Sequence, residues 1–140
     1  MTTKNTLPMS VHFILADDIR EEINGKVSII GAITSNDITV NAPVPGLKGD
    51  TPGFSLALLA IVEGVQGAYD VKLDMLTPSG KVLGSGKLKV NEKDMKTCNL
   101  VFKFPTFPAV EEGWHKAVLT IGNNQVYEHK FQIKSQAPVQ

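Results

Sequence analysis

The sequence predicts an all-β fold, a single β-sandwich of seven to nine strands. Three observations carry the prediction. Short runs of period-two alternation recur along the chain, as where Tyr69, Val71, Leu73 and Met75 are interleaved with Asp70, Lys72 and Asp74. Turn-forming clusters such as Ser35-Asn36-Asp37 and Pro78-Ser79-Gly80-Lys81 separate these runs. Finally, 140 residues of which 42% are hydrophobic suffice for one buried core without a disulfide, which the single cysteine, Cys98, cannot form within the chain.

Residues 1–9 are polar, contain Pro8 and are expected to form a flexible arm, with the folded domain spanning 10–134. Residues 11–15 read as the first strand. The segment DDIREEING that follows is the densest acidic stretch in the chain. Its ends suit a short helix over residues 17–24, begun at Asp17 or Asp18 and closed at Gly25, although so short a helix needs tertiary packing to hold it. An irregular acidic loop is the competing reading. Residues 26–33 form a second strand, with Val27, Ile29, Gly31 and Ile33 on one face and Ser28, Ile30 and Ala32 on the other.

A brief strand at 38–40 leads into residues 42–53, where three prolines and three glycines imply a long surface loop crossing between sheets. Residues 54–62 then make a strand that is apolar on both sides. Phe54, Leu56, Leu58, Ala60 and Val62 form one face and Ala57, Leu59 and Ile61 the other. Such a strand is expected to be covered on its outer face by the acidic connection, the long loop or another subunit. Residues 63–67 are read as a turn into the strand 68–77, and 78–81 as a hairpin turn into 82–90. Gly84 and Gly86 should weaken or bend that strand, which fits an edge or a bulge.

Residues 91–96 read as a polar connection, 97–104 as a strand with Cys98, Leu100, Phe102 and Phe104 facing the core, and 104–113 as a turn-rich exit containing Pro105 and Pro108. The last two strands form a hairpin. Matching the face of Ala117, Leu119 and Ile121 to that of Tyr127, Phe131 and Ile133 requires opposed residues whose numbers sum to an even value, hence a connection of three or five residues or a bulge. Residues 135–140 are expected to be a flexible tail.

The composition narrows function by exclusion. Equal numbers of basic and acidic residues, 14 of each, give no electrostatic case for nucleic acid. No apolar run approaches the roughly 20 residues that span a bilayer, so no membrane partner is expected. A lone cysteine suits a cytoplasmic protein, or one assembled into a particle after cytosolic synthesis. There is no GxSxG elbow or phosphate-binding loop, and His12, His115 and His129 lack ligand spacing, so the chain is expected to be non-enzymatic, without metal or cofactor. The DDIREE spacing also does not match a calcium loop. Asp17, Asp18, Arg20, Glu21, Glu22 and Lys26 are instead candidates for contact with a protein partner, or with a second copy in a homo-oligomer. Trp114 and Phe107 are candidates for binding carbohydrate or another small ligand, the plainer role for Trp114 being to close the end of the core. A small hydrolase using the acidic cluster is a third alternative, requiring two carboxylates to face a pocket.

Residues 13–33, FILADDIREEINGKVSIIGAI, resemble the opening of a family of small uncharacterised bacterial and prophage proteins. Ala16, Asp17, Glu22, Gly25, Lys26, Ile30 and Gly31 carry the likeness, and PSGK at 78–81 with the terminal hairpin is similar to the general immunoglobulin-like pattern. The resemblance implies an immunoglobulin-like sandwich, and the leading expectation is a phage- or prophage-encoded interaction protein that binds a host or particle protein. The resemblance implies no substrate.

Overall fold

The computed structural model describes residues 10–40, 53–122 and 125–135. The expected arm at 1–9, residues 42–52 of the long loop and the tail from 136 lie outside the described residues. The strands are β1 (Ser10–Glu21), β2 (Val27–Ile33), β3 (Asp37–Val40), β4 (Gly53–Leu76), β5 (Val82–Pro108), β6 (Gly113–Ile121) and β7 (Gln125–Ser135), with a 3₁₀ turn at Ile23–Gly25. They pair in the order β2-β1-β4-β6-β7-β3, with β5 on β4, all antiparallel except β3 on β7. The result is an all-β, nearly closed seven-stranded sandwich.

Its organising element is the long hairpin of β4 and β5. The first part of β4 pairs with β1 on one edge and with the second part of β5 on the other; its last part pairs with β6 and with the first part of β5. Both strands thus contribute to both layers. Register shifts fall between Val62 and Gly67, where Gly64 and Gly67 have φ of 78° and 109°. Only glycine adopts these angles readily, and such bulges let a strand turn a corner without leaving its ladder. Residues 63–67 are therefore a bend in a continuous strand, not the expected turn. For the same reason the polar stretch 91–96 is part of β5, held by the Val65↔Lys96 and Gly67↔Glu92 pairs, and not a free connection. The exit expected at 104–113 also remains strand as far as Pro108. There β5 pairs only with β4 among the described residues, and an edge strand tolerates the prolines at 105 and 108.

The main core lies between the layers and includes Leu15, Leu58, Leu73, Phe102, Phe107, Leu119, Phe131 and Ile133. Gly84 and Gly86 sit where the two halves of β5 face one another: a Cβ on Gly84 would meet the Phe104 ring at 2.8 Å, and one on Gly86 the Phe102 ring at 2.5 Å. The glycines make room for two rings from the opposite layer. The hairpin expectations for 78–81 and for the last two strands agree with the structure. Leu76 opposes Val82, and Leu119 opposes Tyr127, an even sum with three residues between Ile121 and Gln125.

The helix expected over 17–24 does not form. Residues 17–21 continue β1, and only Ile23–Gly25 turns, with Asn24 at φ 70°. Pairing of Asp18 with Ile30, Ile19 with Ile29 and Arg20 with Ser28 gives the backbone ladder partners that so short a helix would lack at both ends. Strand geometry also buries Ile19 completely in a second cluster with Ala16, Ala57 and Leu59, flanked by Val27, Ile61 and Val101. This cluster explains the doubly apolar β4: the far part of the β1–β2 hairpin lies over the outer face of residues 57–61.

Candidate interaction surfaces

The hairpin that covers β4 also displays the charged residues. Asp17 is exposed, its carboxylate lying against Gly31, and its carbonyl accepts a 2.9 Å hydrogen bond from the Ser55 hydroxyl. Asp18 sits 3.6 Å from Arg20 and 3.7 Å from Lys103 on β5. At the tip, the Glu22 amide donates to the Lys26 carbonyl at 2.7 Å, and the Asn99 amide reaches the Gly25 carbonyl at 3.5 Å. Glu21, Glu22 and Lys26 line one wall of a cleft of about 570 Å³ whose other wall includes Lys89, Glu92, Lys96 and Cys98. The structure thus splits the six predicted contact residues between the outer face of the sheet and this cleft. Burial pushes the Cys98 thiol above its ordinary pKa, which disfavours the nucleophilic thiolate.

Of the four acidic residues, Glu21 and Glu22 line the cleft, together with Lys26, Lys89 and Lys96, and Asp17 and Asp18 do not. Among the described residues no group of three or more His, Cys, Asp or Glu side chains is placed to hold a metal ion.

Beside the charged segment lies a feature that charge counting missed. Among the described residues, β2 is the outermost strand of its layer and pairs only with β1. Its sequence VSIIGAI contains no charged residue, and Ile29 and Ile30 are 37% and 42% exposed. Natural edge strands usually carry lysine, proline or a covering loop to deter pairing with another chain. The signal lies in the alternation of residues 26–33, where Ile30 and Ala32 make the second face apolar enough to suggest partial cover. What period alone did not reveal was that this strand forms an edge.

The two aromatic candidates separate. Phe107 is fully buried among Phe54, Phe104 and Phe131, with ring centroids 5.5, 5.9 and 6.4 Å away, so it is core and not a ligand platform. Trp114 does not close the core. It lies on the outer face of β6, opposite Gln132, and is 53% exposed.

The residue that does fill the core beside it is His115, completely buried and stacked on Phe131 at 5.4 Å. Its Nδ1 lies 3.0 Å from the Gly113 carbonyl, and its Nε2 has no hydrogen-bond partner among the described residues. Burial holds its pKa below the ordinary imidazole value; the Gly113 carbonyl and the Glu111 carboxylate oppose this more weakly. The His129 pKa is lowered by burial too. As pH falls below about 6.5, the unfolded chain takes up protons that folded His115 resists, so stability declines until the lower folded pKa is passed. Urea unfolding at pH 7.5 and pH 5 should show this loss, and His115→Phe, which keeps the stack on Phe131, should shrink it while leaving the His129 part. An equal loss in that variant would remove His115 as the cause.

A family model described as a family of unknown function (DUF6941) matches residues 11–134, from the second residue of β1 to the penultimate residue of β7. No curated protein matches the chain.

Proposed function

The chain therefore belongs to the DUF6941 family, and from that premise we propose that it is a non-enzymatic protein-interaction module that binds an extended segment of a partner protein along the open edge of β2. One observation carries the reading: an edge strand of seven residues without a charge, with Ile29 and Ile30 exposed on opposite faces. Such an edge offers unpaired backbone amides and carbonyls as an affinity source, while side chains on alternate faces select the partner strand. Asp17, Asp18, Arg20, Glu21, Glu22 and Lys26 surround it and orient the approach, since charges at a rim affect encounter rate and register more than final affinity. Support for a phage- or prophage-encoded origin, and with it a host or particle protein as the partner, comes from the resemblance over residues 13–33, and support for an immunoglobulin-like topology from PSGK at 78–81 and the terminal hairpin. Support for cytosolic synthesis comes from the single, unpaired Cys98.

Ile30→Lys places a charge on the exposed face of the edge without touching the core. Affinity capture from a bacterial lysate should recover a partner with the parent chain and lose at least tenfold of it with Ile30→Lys, at unchanged melting temperature. Equal recovery by both proteins would refute the edge as the binding element.

A further inference from the structure

The outer face of the second layer, formed by the first part of β5, the last part of β4, β6, β7 and β3, carries a different pattern. Lys116 on β6 directly opposes Lys130 on β7, and Lys72 on β4 directly opposes Lys87 on β5. Like charges facing one another across a ladder are destabilising. Two lysines of this face are neutralised, Lys134 at 3.9 Å from Asp37 and Lys72 itself at 3.5 Å from Asp74. Lys116 and Lys130 have no ion-pair partner among the described residues. Trp114 stands beside them, two residues before Lys116 on the same face of β6 and diagonal to Lys130 across the ladder. The fold gains little from an exposed tryptophan, because His115 and Ala117 supply this strand's core contacts.

We propose that this face binds an acidic oligosaccharide, with a sugar ring stacked on Trp114 and a carboxylate held between Lys116 and Lys130. A planar aromatic on a flat sheet offers a stacking surface, and two adjacent ammonium groups with no ion-pair partner among the described residues offer one anion site. Lys87 and Lys89, which have no ion-pair partner among the described residues, extend the site. With Lys72 they line a depression of about 500 Å³ that also includes Asp70 and Thr120. Four residues along the strands and two strand spacings across place the two pairs about 16 Å apart on a flat sheet. A chain with repeating charges spans that distance, and a single small anion does not. Asp70, Asp74 and Glu128 on the same face accept hydrogen bonds from sugar hydroxyls. Among the described residues Trp114 is the one aromatic side chain on this face, whereas a single-stranded nucleic acid is held by several platforms on which successive bases stack.

Trp114 is the chain's one tryptophan, so its fluorescence reports the site directly. Titration of the full-length protein with oligogalacturonate should give a saturable change, and the double variant Lys116→Gln, Lys130→Gln should weaken binding at least tenfold. A neutral malto-oligosaccharide should bind at least tenfold more weakly than the acidic chain. Removing the opposed charges should also raise the melting temperature of the free protein, so weaker binding by a more stable fold would separate site loss from unfolding. Absence of a saturable change, equal binding by the double variant, equal binding of the neutral sugar, or tighter binding of a single-stranded DNA oligonucleotide than of oligogalacturonate would each overturn the proposal.

Discussion

Ile19→Ala is expected to lower the unfolding free energy by about 2–4 kcal/mol, the range for truncating a fully buried aliphatic side chain. Ile19 has no exposure, and it joins β1 to Ala57 and Leu59 across the outer face of β4. The loss should be local in its dynamic consequence. Amide exchange should quicken in residues 17–33 more than in β6 and β7, because the far part of the hairpin rests on this cluster while its near part is tied to β4 by the 10–16 ladder. Ile23→Ala is the matched control. Ile23, at the tip of the same hairpin, is 84% exposed, and its truncation should change stability by less than about 0.5 kcal/mol. Equal, small effects from both substitutions in urea unfolding would mean that the hairpin does not pack on the sheet.

The second large effect is expected at Gly86. In most strands alanine in place of glycine is mildly stabilising, because glycine loses more conformational entropy on folding. Here an added Cβ would press on the Phe102 ring at 2.5 Å, inside any normal contact. Gly86→Ala should therefore destabilise by about 1–3 kcal/mol, the usual cost of overpacking. The cause is separable. Phe102→Leu removes the ring edge, so the double variant Gly86→Ala, Phe102→Leu should be more stable than the sum of the single changes predicts. Strict additivity of the two would remove steric conflict between the halves of β5 as the explanation.

How much of this was legible depended on whether the relevant partner was near in sequence. The β6–β7 hairpin was readable in detail, since the faces of Ala117, Leu119 and Ile121 and of Tyr127, Phe131 and Ile133 admitted only an even register, and the observed Leu119↔Tyr127 pair has one. The turn at 78–81 was readable because its chemistry is local: Gly80 donates to the Thr77 carbonyl at 2.9 Å. The segment 17–24 was not. Its charges and its two isoleucines four apart suit a helical turn as well as a strand, and the choice was made by the β2 ladder and by the burial of Ile19 on distant β4.

The site followed the same division. The six charged candidates were visible as composition, but only the fold separates Asp18, beside Lys103 on the sheet, from Glu21 and Glu22 in the cleft. Phe107 and Trp114 were equivalent as aromatics near turns. Facing inward on β5 made one core, and facing outward on β6 left the other in solvent.

By itself, then, the sequence determined that this is an all-β protein, which strands alternate, where the short hairpins turn and that β4 must be covered on both sides. These are properties of local periodicity and turn chemistry, and they need no knowledge of distant neighbours. The tertiary structure decided what covers β4, how β4 and β5 bend through both layers, which glycines admit aromatic rings and which strand is left as an open edge. Each of those depends on pairing between segments far apart in the chain, where the energy is set by burial and ladder completion and outweighs local preference.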